Sequence, residues 1–346
     1  SVNTVYSISH IDPYFTLDGI SRRLTAYMKE TNTKDLDTGQ YNKDSYGLGV
    51  GFGVPMNEFD TVNIGFDVDL SKIIWFRVGG SAKYLFKPKS ISELSEFLRL
   101  NKKRFLDFLI LGVGSNVIVR DQGVDGVVIR LGKEFAQIEK LSDNEIQVGA
   151  GCLDINLARF AKDAAISKLE FFSGIPGTIG GALKMNAGAY GLETKDVLVK
   201  AFGVDMDGQE CEFLLDDMNF SYRKSEIGKD IIFTKAIFRG EVGDKSEIAN
   251  KIQEIQEKRE TTQPIKSRTG GSTFKNPDGM KAWELIDKAG CRGLQIGGAK
   301  MSELHCNFMI NTGDAIAADL ENLGEEVRRR VKENSGVDLQ WEIKFI

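Results

Sequence analysis

The sequence predicts an α+β protein with a β-rich N-terminal extension, and three observations carry that expectation. From about Ser71 onward, helical and strand periodicities are interspersed without the strict alternation that builds a doubly wound sheet. Before residue 71 the apolar pattern has a period of two and lacks helical spacing. Two glycine clusters, Leu111-Gly112-Val113-Gly114-Ser115-Asn116 and residues 174–191, interrupt the mixed region where strands should give way to loops.

In chain order, Tyr46–Val54 alternates large apolar residues with glycine, and Val62–Leu70 alternates Val62, Ile64, Phe66, Val68 and Leu70 with polar residues or glycine. Strands of nine or ten residues with this pattern have the length of transmembrane β-barrel strands. The polar stretch between Tyr27 and Tyr46 reads as a long surface loop. Together with ISHIDPYFTLDGISRRL ahead of them, residues 1–70 resemble strands of the outer-membrane barrel-assembly (Omp85) family. Three or four strands cannot close a barrel, so a β-meander joined to the rest and a fusion junction stay open as readings. Beyond residue 71, Ser90-Ile91-Ser92-Glu93 is a capping box opening a helix with Leu94, Phe97 and Leu98 on one face. Phe105–Ile110 reads as a buried strand. Further helices follow from Leu153, Leu157, Phe160, Ala161 and Ala164; from Ile248, Ile252 and Ile255, stopped by Pro264; from Trp283, Leu285 and Ile286; and from Ile316, Leu320, Leu323, Val327 and Val331. Val127–Ile129, Ile146–Val148 and Ile231–Phe233 are strand candidates.

Composition narrows the function. The net charge is −5 and no Lys/Arg tract is present, which argues against nucleic acid as a partner. Four widely spaced cysteines (Cys152, Cys211, Cys291, Cys306) read as free thiols of a reducing compartment. Only His10 and His305 are available as imidazoles, so a histidine metal site is not expected. No basic segment followed by an apolar run marks a signal peptide.

The glycine stretch GIPGTIGGALKMNAGAYG is apolar enough to suggest a membrane span, but a packed helix is not expected to carry so much glycine. Glycine at this density lets backbone N–H groups approach a diphosphate. GVGSN and this stretch together point to a large dinucleotide, although neither is a Walker or Rossmann fingerprint. Taken alone, either loop reads first as a tight turn.

Four segments in order change that reading: WFRVGG (75–80), LGVGSNVIVRDQGVDGVVIRL (111–131), FFSGIPGTIGGALKMNAGAYG (171–191) and GSTFKNP (271–277). Their combination closely resembles the UDP-N-acetylenolpyruvoylglucosamine reductase family over roughly residues 71–346. The resemblance implies a two-lobed FAD-binding fold of the vanillyl-alcohol-oxidase (PCMH) type over 71–241. It implies a smaller α+β substrate domain over 242–346, with residues 1–70 as an extension or fusion. It also implies FAD and NADPH as cofactors, a UDP-sugar enolpyruvyl ether as substrate, no membrane for residues 71–346, and a cytoplasmic monomer.

Residue by residue, the resemblance assigns Gly112, Gly114, Ser115 and Asn116 to the first phosphate-binding turn. Gly174, Ile175, Pro176, Gly177, Thr178, Gly180 and Gly181 fall to the second loop. Asn186, Ala187 and Gly188 follow toward the flavin, with Arg77 and His305 as further cofactor contacts. For chemistry it implies Arg223 at the substrate carboxylate, where a guanidinium fork suits developing enolate charge. Ser272 is the implied proton donor, and Glu342 supports Arg223 and the proton path. Tyr222, Lys275 and Asn276 are implied substrate contacts. Many relatives carry two glutamates on the last strand; here the first position is Gln340. The tyrosine-bearing insertion of some relatives is missing, and the usual lead segment before WFRVGG is replaced, which threatens the first lobe. Without the resemblance, YRKS would read as a surface patch, Ser272 as a cap, Glu342 as a solvated charge and His305 as a packed structural residue. Another FAD oxidoreductase of the same fold, acting on an alcohol or lactone, and a non-catalytic membrane-assembly fusion are the alternatives.

Overall fold

Strand β1 (Val2–Asp12) opens an antiparallel meander that continues through β2 (Ser21–Asn32), β3 (Asn42–Pro55) and β4 (Thr61–Asp69). The computed structural model describes residues 2–12, 21–32, 42–55, 61–102, 107–227 and 230–346. The polar segment expected as a loop between Tyr27 and Tyr46 is strand at both ends. Pairing runs from Met28↔Tyr46 out to Asn32↔Asn42, because ladder hydrogen bonds outweigh the weak strand preference of polar residues. Residues 33–41 of that segment, and 13–20 of the stretch before it, lie outside the described residues.

Next along the chain come β5 (Ser81–Phe86), β6 (Phe108–Ile110), β7 (Val117–Ile118) and β8 (Val124–Ile129). The meander is part of their sheet. β4 pairs antiparallel with β5, and β5 leads in parallel to β8 and then β6, giving seven strands in the order β1-β2-β3-β4-β5-β8-β6. The N-terminal extension thus supplies the neighbour that β5 pairs with, and Leu70 at its end is fully buried. Phe105–Ile110 is not the buried strand expected: β6 is short, lies at the sheet edge and leaves Ile110 exposed, while 105–106 are outside the described residues. Helix α1 (Ile91–Lys102) starts as its capping signal requires, Glu93 N–H donating to Ser90 Oγ at 3.0 Å. Leu94 and Leu98 bury its inner face.

A second, five-stranded antiparallel sheet holds β9 (Ile138–Lys140), β10 (Glu145–Gly149) and the strands Leu198–Asp205, Glu210–Leu214 and Ile231–Arg239. Its core includes Ile146, Val148, Phe171, Phe172 and Phe238. Buried residues of α2 (Asp154–Asp163), such as Leu157 and Ala161, join that core. The glycine stretch contains a helix after all, α3 (Ile179–Met185). Ile179, Ala182 and Leu183 are buried in the same core, and at seven residues the helix tolerates two glycines because packing, not propensity, holds it.

Helix α4 (Lys245–Thr262) is capped by Asp244 and buries Ile248 and Ile252. Helices α5 (Ala282–Lys288) and α6 (Ala317–Ser335) complete the C-terminal part. That part shares one core with the first lobe: Phe274, Leu320, Val327 and Leu339 cluster with Leu70, Phe76, Leu111 and Ile118. The final strand, Lys344–Phe345, pairs in parallel with β7. This pairing carries the C-terminal segment to the first glycine turn. Among the described residues no helix is long and apolar enough to cross a membrane.

Candidate active site

The first glycine turn follows β6 and is pinned from both sides. Leu111 N–H donates to Ile129 O, and Trp75 N–H donates to Gly114 O at 3.1 Å. Gly114 has φ +68°, and an added Cβ would stand 2.8 Å from the Ile74 Cα, so only glycine fits there. Among the described residues no protein group accepts from the backbone N–H groups of Gly112, Val113, Gly114, Ser115 or Asn116. Five consecutive backbone donors are thus open to an anionic ligand.

The second loop touches the first. A Cβ on Gly112 would lie 2.8 Å from Thr178 Oγ1. Thr178 bridges Leu153, and the N–H groups of Ile179 and Gly180 donate to Cys152 O and Ala150 O, which fastens this loop to the second sheet. The fully buried Asp154 lies beneath it, its backbone N–H donating to Gly177 O at 3.2 Å. Neither of its carboxyl oxygens has a well-formed hydrogen bond among the described residues. Burial pushes this carboxyl well above the usual carboxylate range, against the pull of the Gly177 amide. The two loops therefore form a glycine cradle without a lysine, and its donors fit the pyrophosphate of FAD.

Asn116 joins this cradle to the C-terminal segment. Its Nδ2 donates to the Glu342 backbone carbonyl at 3.2 Å and to Met185 Sδ at 3.0 Å, while Lys344 N–H donates to Asn116 O. At the end of α3, Asn186 takes a left-handed φ of +43°. Its Nδ2 donates to Glu193 Oε2 (3.0 Å) and to Ser221 O (3.1 Å).

Arg223 sits in a tight turn closed by the Ser221↔Lys224 bridge, with its own φ at +55°. Its Nε donates to Glu342 Oε1 at 3.1 Å and its Nη2 to Gly188 O at 3.0 Å. Both Arg223 and Glu342 are mostly buried. Desolvation raises the Glu342 carboxyl, opposed by the charges of Arg223, Lys275 and Lys344. Lys275 is lowered by burial first and then by Lys344, with Glu342 pulling the other way and Arg223 and Lys224 adding to the effect. Cations thus outnumber carboxylates around Glu342, as an anionic ligand requires.

Ser272 lies on a short extended segment sandwiched between two others. Ser272 bridges Phe308, Thr273 N–H donates to Asn307 O at 2.7 Å, and Glu342 N–H donates to Thr273 O at 2.9 Å. The Ser272 hydroxyl is therefore on the residue adjoining the one that holds the Glu342 backbone. Asn307 clamps this segment further through Phe274, accepting from its N–H and donating to its carbonyl.

Other expected residues stand apart. Arg77 is exposed, and its guanidinium donates to the Lys72 carbonyl, not to a glycine loop. Asn276 Oδ1 accepts from Ala282 N–H at the start of α5, which ties its side chain to that helix. His305 packs edge-on against Phe308 and accepts from Asn307 N–H at Nδ1; burial lowers its pKa and favours the neutral ring. Tyr222 is half-exposed with the Arg223 guanidinium 5.1 Å from its ring centre. Sequence reasoning missed Glu193 and the clamping by Asn307; an acid two residues after a Tyr-Gly turn carries no distinguishing signal of its own.

A two-lobed glycine cradle beside a buried arginine–glutamate pair defines an FAD-binding oxidoreductase fold. Residues 82–213 match the FAD binding domain model, and residues 263–346 match the model of the UDP-N-acetylenolpyruvoylglucosamine reductase C-terminal domain. The UDP-N-acetylenolpyruvoylglucosamine reductase of Parvibaculum lavamentivorans is 52% identical over 280 residues, 81% of this chain and 90% of its own. That of Rickettsia conorii is 52% identical over 280 residues, 81% of this chain and 94% of its own. The crystal structure of the Thermus caldophilus reductase superposes with a TM-score of 0.70 at 34% identity, covering 82% of this chain and 98% of that one. The chain belongs to the UDP-N-acetylenolpyruvoylglucosamine reductase family. Residues 1–125 also match the Omp85 superfamily domain model, across the meander and into the first lobe.

Proposed function

We propose that the chain is an NADPH- and FAD-dependent oxidoreductase that reduces UDP-N-acetylglucosamine enolpyruvate to UDP-N-acetylmuramate in peptidoglycan precursor synthesis. The observation that carries this reading is the Arg223–Glu342 pair, 3.1 Å apart, joined by the Glu342 backbone N–H to the Ser272 segment and by its backbone carbonyl to the Asn116 side-chain amide of the first glycine turn.

Bound FAD would supply hydride transfer between NADPH and the substrate. The glycine turn at Gly112, Gly114, Ser115 and Asn116 would hold its pyrophosphate through backbone N–H groups, with Gly174 through Gly181 as the second wall. Asn186, Ala187 and Gly188 line the way toward the ring. Arg223 takes the enolpyruvyl carboxylate and stabilises the charge that develops there as hydride arrives. Glu342 and Gly188 O fix the guanidinium so that little reorganisation accompanies the reaction. Ser272 Oγ delivers the proton to the remaining carbon, from the segment that also holds the Glu342 backbone. Tyr222, Lys275 and the amide nitrogen of Asn276 meet the UDP-sugar, Lys275 bringing charge to the diphosphate. Arg77 and His305 serve the cofactor site less directly, given where their side chains point.

The same reading makes the enzyme a monomer in the cytosol, and its four unpaired cysteines suit that reducing compartment. Residues 1–70 are read as barrel-assembly-type strands fused to it, supported by the family-model match and by strands of nine to fourteen residues. The test is spectroscopic. The purified chain should carry a flavin absorption band that NADPH bleaches and the enolpyruvyl substrate restores. A folded protein that takes up no FAD would sink the reading.

A further inference from the structure

We propose that Glu193 is a positioning residue for Arg223, an inference that rests on Arg223 receiving the substrate carboxylate. Glu193 follows the tight turn at Tyr190 and Gly191, on a short hairpin that pairs Gly188–Ala189 with Leu192–Glu193. Its Oε2 accepts from Asn186 Nδ2 at 3.0 Å and lies 3.0 Å from Lys195 Nζ. Its Oε1 stands 3.7 Å from Arg223 Nη1. The hairpin grips Arg223 twice, through Gly188 O on Nη2 and through the Glu193 carboxylate near Nη1, while Glu342 holds Nε.

A left-handed backbone at Arg223 costs free energy and persists only where surrounding contacts over-determine it. Three anionic or carbonyl groups around one guanidinium are such contacts. At 3.7 Å, Glu193 makes no direct hydrogen bond to Arg223. It acts by charge, in a site shielded enough for charge to matter, since both side chains are mostly buried. The same carboxylate anchors Asn186, so it ties the plane of the guanidinium to the end of α3 on the cofactor side. Glu342 faces the chemistry; Glu193 sets the angle from which Arg223 meets it.

Glu193→Gln keeps shape and an acceptor for Asn186 but removes the charge. In the FAD-loaded full chain, kcat for the enolpyruvyl substrate should fall about tenfold, with KM unchanged or lower because Arg223 loses a competing anion. Flavin reduction by NADPH and the flavin spectrum should match the parent. Glu193→Asp, which retains the charge, should recover part of kcat. In a cycle with Arg223→Lys, the two losses should not add, because both act through one guanidinium. A Glu193→Gln enzyme with parental kcat overturns the proposal. So does one that loses FAD or slows both half-reactions equally, since Glu193 would then only hold the hairpin, and so do additive losses in the cycle. Failure of the parent itself to be reoxidised by the enolpyruvyl substrate would count against the functional reading instead.

Discussion

Replacing Gly114 by alanine tests whether the first turn binds the cofactor by backbone geometry. At φ +68° an L-residue is strained by about 1–2 kcal/mol. The added Cβ would also stand 2.7 Å from Ile74 Cγ2 and 2.8 Å from Ile74 Cα. The second contact is backbone and cannot rotate away, so the turn must shift, adding about 1–3 kcal/mol of overpacking. Gly279 is the control: its φ is +69° but nothing lies within 4 Å of an added Cβ, so Gly279→Ala carries the strain without the clash. Gly112→Ala is intermediate, since its one close contact is the movable Thr178 Oγ1. The assay is FAD affinity from the quenching of flavin fluorescence, with thermal melts alongside. Gly114→Ala should weaken FAD by at least about tenfold, roughly 1.4 kcal/mol, while Gly279→Ala melts lower but binds FAD normally. A Gly114→Ala protein with parental FAD affinity would refute the assignment of this turn to the pyrophosphate.

Ser272→Ala should leave flavin reduction by NADPH intact and slow reoxidation by the enolpyruvyl substrate by about 100-fold or more, the usual worth of a placed acid; equal loss in both half-reactions in stopped flow would make Ser272 structural. Arg223→Lys removes the fork that reaches Glu342 and Gly188 O together, so substrate turnover should drop about 10- to 100-fold for one lost charge-assisted bond of roughly 1.5–3 kcal/mol; unchanged turnover would contradict the carboxylate assignment. The Asp154 carboxyl is raised from its ordinary value of 3.8, so the folded state binds that proton more tightly than the unfolded chain. Its contribution is present below that value and lost as pH rises through the raised range. FAD-saturated Asp154→Asn should therefore melt higher than the parent at pH 8, by about 2–4 °C for each 1 kcal/mol, with the gap closing near pH 4; a gap independent of pH would contradict it.

Periodicity made the helices legible. The spacing of Ile248, Ile252 and Ile255 placed α4, and that of Leu320, Leu323, Val327 and Val331 placed α6, because each faces one core. The segments proposed as catalytic were singled out by family likeness alone: neither YRKS nor GSTFKNP has a local physical signal stronger than a turn. What could not be read depended on long-range pairing. The polar strand ends around Asn32 and Asn42 exist because each completes the other's ladder, and α3 exists because its apolar face has a core to meet. The threat to the first lobe from a replaced lead segment also turned on pairing, since β4 runs alongside β5 and Leu70 enters the core. Glu193 became visible only when the fold brought residues 186, 193 and 223 together.

The most direct measurement follows the two hydrogens. The enzyme is incubated with UDP-N-acetylglucosamine enolpyruvate and NADPH deuterated at the transferable position, in ordinary water and then the reverse, and the product is read by mass spectrometry and NMR. The account predicts a product heavier by two hydrogens than the substrate, with solvent deuterium on the carbon that Ser272 protonates, and in Ser272→Ala the same product formed at least about 100-fold more slowly. A substrate returned unreduced while NADPH keeps reducing the flavin would contradict it.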